Sequence, residues 1–243
     1  MSEIYLGVWV LGYRICVSLM AERVEDLLDK IERARELGAD IVELRLDYLK
    51  ERDFDVEKLV SRCDRQVILT VRRREEGGVF PLGEKERIRL IEKCIMSDPD
   101  MVDLELSMGR KVLRRLISLC KERRVLTVIS YHDFEETPSW KVLKGKVSAA
   151  FREGGDIAKV VTMARSVSDN LQVLRLVSLY PQRVVSFCMG ELGVLSRVLC
   201  TFFGSPFTYA SLDAPLAPGQ LDVGTMRKVC ENLDSALRAG SIR

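Results

Sequence analysis

Apolar positions along the chain come in two alternating patterns from one end to the other: short runs rich in Val, Ile and Leu, and longer amphipathic stretches. The short runs are continuously apolar or alternate with period 2, as strands do, and the longer stretches repeat at the 3.6-residue helical period. Eight runs fit strands: Ile15–Met20, Ile41–Asp47, Gln66–Val71, Met101–Leu106, Val125–Tyr131, Ile157–Met163, Val184–Met189 and Phe207–Leu212. A helical pattern follows each of them, and the last helix spans Val223–Arg238. The first helix, Val24–Leu37, gathers Val24, Leu27, Leu28, Ile31, Ala34 and Leu37 on one stripe, with Gly38 placed to stop it.

Strand–helix alternation with no strand-only or helix-only block predicts a parallel α/β fold, and eight pairs predict a (β/α)8 TIM barrel. The 243 residues match the length of about 250 that such a barrel needs without insertions. Proline falls between elements, at Pro99, Pro138, Pro181 and Pro206, and nothing reads as an interdomain linker. Residues 1–243 are therefore expected to form one catalytic domain, with the first thirteen residues adding a short strand or hairpin that closes the barrel bottom.

Charge narrows the partners. Thirty-eight basic residues against thirty-six acidic ones leave a net charge of +2, too balanced for the dense basic face that a phosphate backbone requires, so nucleic acid is not expected. The seven cysteines are scattered without a CxxC pair, which argues against a disulfide framework or a zinc site and fits a reducing cytoplasm. The apolar stretch from Ile4 to Val17 is too short to span a bilayer and is broken by Gly7, Gly12 and Arg14, so neither membrane anchoring nor export is expected.

The candidate chemistry sits at strand ends, where this fold builds its active sites. In Glu43-Leu44-Arg45-Leu46-Asp47 the alternation sends three charges to one face and two leucines to the other. Charges turned inward are costly unless they pair with each other or bind something, so the alternatives are a structural ion pair and a binding site. Asp103 and Glu105 repeat the pattern deeper in the fourth strand, where pairing to barrel arginines is the expected role. The third strand runs into Arg72, followed by Glu76-Gly77-Gly78. His132, the only histidine, ends the fifth strand, and its side chain is the one suited to moving protons near neutral pH. Lys159 lies mid-strand between apolar β-formers. If it points inward it is desolvated and close to arginines of neighbouring strands, both of which favour the neutral amine that attacks a carbonyl. The other reading is a lysine snorkelling outward between helices.

Taken in order, these segments resemble type I 3-dehydroquinate dehydratase across nearly the whole chain. The segments are Glu43–Asp47, Arg72 with Glu76-Gly77-Gly78, Ser130-Tyr131-His132-Asp133-Phe134, Asp156-Ile157-Ala158-Lys159, Met189-Gly190 with Arg197, and Ala217-Pro218-Gly219-Gln220. The resemblance implies the third step of the shikimate pathway, a syn elimination of water from 3-dehydroquinate to 3-dehydroshikimate with no metal or organic cofactor. It implies Lys159 as the Schiff-base lysine, His132 as the acid/base and Glu76 as the carboxylate that orients and charges it. Arg197 would take the substrate carboxylate, Glu43 and Arg72 the ring hydroxyls, Arg45 would position Glu43, and Gln220 would lie on a closing loop. A cytoplasmic homodimer is expected on the same ground. The chain departs from the family at Leu216, where a serine usually begins the Ser-Ala-Pro-Gly-Gln loop, and at Met163-Ala164, where Met-Pro is usual.

Two rival readings remain. A class I aldolase shares the lysine on the sixth strand, but no glycine-rich phosphate loop follows strands seven and eight here. A non-catalytic barrel that binds a sugar acid would be free to relax at Lys159 or His132, and both are present.

Overall fold

The computed structural model describes residues 12–51, 53–212 and 219–240. Its first half runs β1 (Ile15–Leu19), α1 (Val24–Glu36), β2 (Ile41–Arg45), α2 (Val56–Ser61), β3 (Gln66–Thr70), α3 (Glu84–Met96), β4 (Met101–Glu105) and α4 (Arg110–Arg123). The second half runs β5 (Leu126–His132), α5 (Trp140–Glu153), β6 (Ile157–Met163), α6 (Asp169–Leu179), β7 (Val184–Met189), α7 (Val194–Leu199), β8 (Thr208–Ala210) and α8 (Val223–Gly240). All eight strands are parallel and lie in the order β7-β6-β5-β4-β3-β2-β1-β8, the (β/α)8 barrel that the alternation predicts. Strands β7 and β8 are the two ends of this hydrogen-bonded order, and the inward rings of Phe187 and Tyr209, one from each, lie 5.9 Å apart.

The two faces of the strands are sorted as a barrel requires. Leu44, Val102, Ile129, Val160 and Cys188 are buried against the helices, and the alternate positions fill the barrel interior. Helices pack onto this wall by narrow apolar stripes; α1 buries Leu27, Ile31 and Ala34. Leu37, expected on that stripe, is instead 38% exposed. The helix ends at Glu36, and Gly38 turns the chain away with φ of 79°, so Leu37 lies past the last full turn.

Strands β6 and β7 keep the predicted bounds and the other six shift at an end by one or two residues; two of those shifts matter. Asp47 does not continue β2; it sits in a 3-10 turn over Leu46–Tyr48, and β2 stops at Arg45. Strand β8 is only Thr208–Ala210 rather than Phe207–Leu212, because Ser211 leaves the β1 ladder to bridge Asp222 at the start of α8. The strand or hairpin expected of the first thirteen residues falls, up to residue 11, outside the described residues, as do Leu216, Ala217 and Pro218.

Candidate active site

The eight residues to which the resemblance assigns a role line one cavity of about 200 Å³ at the C-terminal ends of the strands: Glu43, Arg45, Arg72, Glu76, His132, Lys159, Arg197 and Gln220. A larger, more open depression of about 920 Å³ lies over α1, between Asp26, Lys30 and Arg33, and shares only Met20 with this cavity. The small cavity is the one with converging, buried ionisable groups, so the chemistry belongs there.

Lys159 points inward and is 4% exposed. Its ladder partners are Ser130 on β5 and Val185 on β7, and the flanking Ala158 and Val160 are buried on the helix side. The neighbours of its amine are not the arginines expected: Nζ donates to Tyr209 Oη at 2.9 Å, Asp103 Oδ2 at 3.2 Å and Glu43 Oε1 at 3.4 Å. Glu43 is also held by Ser18 Oγ and Thr70 Oγ1 at 2.9 and 2.7 Å. Burial pushes the Glu43 carboxyl up, but the cations Lys159, Arg45 and Arg72 prevail, and the net shift is downward.

Arg72 and Asp103 form the floor beneath Lys159. Arg72 Nη2 donates to Asp103 Oδ2 at 2.8 Å and Nη1 to Ser130 Oγ at 2.6 Å, with Glu105 3.6 Å away. Burial would lower the guanidinium's pKa, yet Asp103 and Glu105 raise it, and for Asp103 the same pairing with Arg72 and Lys159 outweighs burial and lowers it. Glu105 makes a second pair with the fully buried Arg87 of α3, at 2.9 Å. Both carboxylates on β4 are thus paired to barrel arginines, the role their depth in the strand predicts.

Arg45 differs from its expected part. It makes a two-pronged bond to Asp47, both contacts 2.9 Å, rather than to Glu43. The 3-10 turn swings Asp47 back alongside Arg45, which the strand extrapolation did not anticipate. The pair then grips the following loop: Arg45 Nη2 donates to the Gly77 carbonyl and Val79 N–H donates to Asp47. That loop carries Glu76. Its close turn needs Gly78, where a Cβ would lie 2.0 Å from the Arg72 carbonyl oxygen.

Glu76 faces His132, with Oε2 3.1 Å from Nδ1, and Ser107 Oγ donates to its other oxygen at 2.5 Å. An ionised carboxylate only accepts, so Nδ1 carries the hydrogen and Nε2 keeps its lone pair. Burial raises the Glu76 pKa, against the pull of Ser107 and Arg72. Burial and the nearby cations Arg72 and Lys159 hold the His132 pKa well below its usual 6.5, so the ring is oriented but kept neutral. Phe134 stacks on it, ring centroids 6.0 Å apart.

Arg197, on α7, is 4% exposed, and no carboxylate lies within ion-pair distance of it among the described residues. Its Nε has no hydrogen-bond partner, and its guanidinium lies 4.3 Å from the Phe187 ring centroid. Desolvation lowers its pKa to about 10. Gln220 reaches the cavity from the described end of its loop. Sequence reasoning passed over Ser18, Ser107 and Tyr209. The inward parity applied to Glu43 and Arg45 would have found Ser18 and Tyr209, whereas Ser107 lies beyond β4 and carries no such signal.

A model of the type I 3-dehydroquinase family matches residues 15–236 of the chain. The 3-dehydroquinate dehydratase of Thermococcus onnurineus is 39% identical over 213 residues, covering 88% of this chain and 95% of that protein. The crystal structure of the Geobacillus kaustophilus 3-dehydroquinate dehydratase superposes with a TM-score of 0.83 at 30% identity, covering 92% of this chain and 91% of that one. The Aquifex aeolicus 3-dehydroquinate dehydratase gives 0.81 at 32% identity, covering 90% and 98%. With a family match over nearly its whole length and relatives of this similarity spanning theirs, the chain belongs to the type I 3-dehydroquinase family.

Proposed function

We propose that the chain dehydrates 3-dehydroquinate to 3-dehydroshikimate through a Schiff base on Lys159. The observation that carries this reading is the joint presence, in one small cavity, of a buried amine and a buried arginine without an anionic partner. An amine takes a carbonyl and an unpaired guanidinium takes a carboxylate, so the pair fits a keto acid. A volume of about 200 Å³ accommodates one carbocyclic ring.

In the proposed sequence Lys159, once it has given up a proton, attacks the C3 carbonyl. The carbinolamine loses water to leave an iminium, which draws electrons from the adjacent carbon. His132 Nε2, neutral and on the strand next to Lys159, is the base that removes the C2 proton. The electrons move through the enamine to expel the C1 hydroxyl as water, with His132 returning the proton, and hydrolysis of the product iminium restores the amine. Glu43 and Arg72 are the groups for the ring hydroxyls, with Arg45 setting the loop that carries Glu76 and Gln220 closing the mouth. Purified protein mixed with 3-dehydroquinate tests the reading directly, since the conjugated product absorbs in the ultraviolet. Absence of that absorbance under conditions where the protein is folded refutes it.

Arg197 gives a prediction in which stability and function part. The fall from the usual 12.5 to about 10 corresponds to about 3 kcal/mol, at roughly 1.4 kcal/mol per pH unit. A lowered cation pKa means the folded state carries this penalty at every pH below about 10, and sheds it only as pH rises from there toward 12.5. Arg197→Met removes the charge at similar length, so the melting temperature is expected to rise by several degrees, at about 2–4 °C per kcal/mol. KM is expected to rise about 100-fold with loss of the carboxylate clamp. Thermal melts and steady-state kinetics on the one variant check both, and an unchanged KM removes Arg197 from the substrate site.

A further inference from the structure

We propose that Tyr209 is a positioning residue that fixes Lys159 Nζ for imine formation and accepts the one N–H the iminium retains; the proposal rests on the Schiff-base reading above. An ammonium has three N–H donors, and here they meet three acceptors, the nearest being Tyr209 Oη at 2.9 Å. Covalent attachment to a carbonyl carbon leaves the nitrogen a single hydrogen. Two of the three contacts must then be given up, and the groups already engaged elsewhere are the ones to release. Glu43 is served by Ser18 and Thr70, and Asp103 by Arg72 and Ser130, so both carboxylates keep their partners without the lysine.

Tyr209 is built to hold its place. Its ring lies 4.3 Å from Lys159 Nζ and is wedged between Phe187 and Phe207, with centroids 5.9 and 5.7 Å away. It reaches the amine from β8, which is not a neighbour of β6, so it pins the lysine tip from outside the β5-β6-β7 ladder that holds the lysine's own strand. Burial, Glu43 and Cys16 raise the phenol's pKa well above 10, so it remains O–H. A neutral hydroxyl accepts an N–H from ammonium, amine and iminium alike, whereas a carboxylate grips only the charged forms strongly.

Tyr209→Phe keeps the ring and deletes the acceptor. With borohydride trapping at Lys159 measured on wild-type protein alongside, kcat and the single-turnover rate of trapping are each expected to fall about tenfold, the effect of one hydrogen bond to a charged group. KM should stay within about twofold and the melting temperature within about two degrees. The C=N stretch of the enzyme-bound iminium, read by Raman difference spectroscopy, should move to lower wavenumber because its N–H has lost an acceptor. Should the Phe variant fold poorly, 3-fluorotyrosine at position 209, a weaker acceptor of nearly the same size, should lower kcat by about two- to threefold. A wild-type protein that turns over with no adduct on Lys159 overturns the Schiff-base reading and this proposal together. With the adduct present, wild-type kinetics and an unmoved C=N stretch in both variants overturn the role of Tyr209 alone. A parallel loss of kcat, KM and melting temperature reduces Tyr209 to packing and also overturns it.

Discussion

Lys159→Ala is expected to abolish turnover, by a factor on the order of 10⁴ or more, because among the described residues no other amine lines the cavity to form the proposed covalent intermediate. Sodium borohydride added to wild-type protein with substrate or product is expected to inactivate it and leave a stable mass increment on the peptide containing Lys159, since a reduced imine cannot hydrolyse. The two arms guard each other. Removing the lysine also deprives Glu43 and Asp103 of a shared cation, so part of any loss in the variant reflects destabilisation rather than chemistry. Circular dichroism separates the two. A fully inactivated wild-type sample with an unmodified Lys159, or an active Lys159→Ala protein, rules out the covalent route.

His132→Ala should cost about 10²–10⁴-fold in kcat while some iminium still accumulates with ligand, because on the proposed route several proton transfers use the histidine but attachment needs the lysine. The pH profile adds a signed test. The folded-state pKa of His132 lies well below 6.5, so the neutral base persists as pH falls past 6.5 and the acid limb of kcat/KM is expected beneath that value. Stability follows the same linkage: the unfolded chain takes up a proton at His132 near 6.5 and the folded one does not. The native state therefore loses stability as pH falls below 6.5, until the folded pKa is passed. An acid limb centred at or above 6.5 would contradict the desolvated, cation-flanked environment. As the only histidine, His132 gives a single imidazole signal by NMR, which reads its titration directly.

Period and parity carried most of this structure. Every strand was visible because short apolar runs are separated by helical stretches, and Glu43 stood out by its inward phase, Lys159 as a lysine in mid-strand and His132 as the only histidine at a strand end. What parity cannot show is where a strand stops. Asp47 has the right phase, yet the chain turns after Arg45, and the turn converts an expected row of three inward charges into an Arg45–Asp47 pair serving the Glu76 loop. Partner choice across the barrel is equally hidden. Strands β6 and β8 are not neighbours, and only the closed barrel brings Tyr209 to Lys159. Ser107 was illegible for a third reason: its bond to Glu76 spans two loops with no periodic signal. The Leu216 departure lies outside the described residues, and Leu216→Ser kinetics test its effect on KM.

Ammonium and iminium carry the same unit charge, and this gives the carboxylate pair around Lys159 a kinetic meaning. Asp103 and Glu43 are fixed in place by Arg72, Ser130, Ser18 and Thr70 and are held ionised, so the field at the nitrogen is set before any substrate arrives. On the proposed route, converting the lysine into its covalent adduct would leave that field matched. The enamine is the exception, since its nitrogen is neutral while the same two anions still face it. On the proposed Schiff-base route, a rigid anionic cage of this kind would shorten the lifetime of the one uncharged species, and the proton removed from C2 would have little time to exchange with solvent before the hydroxyl departs.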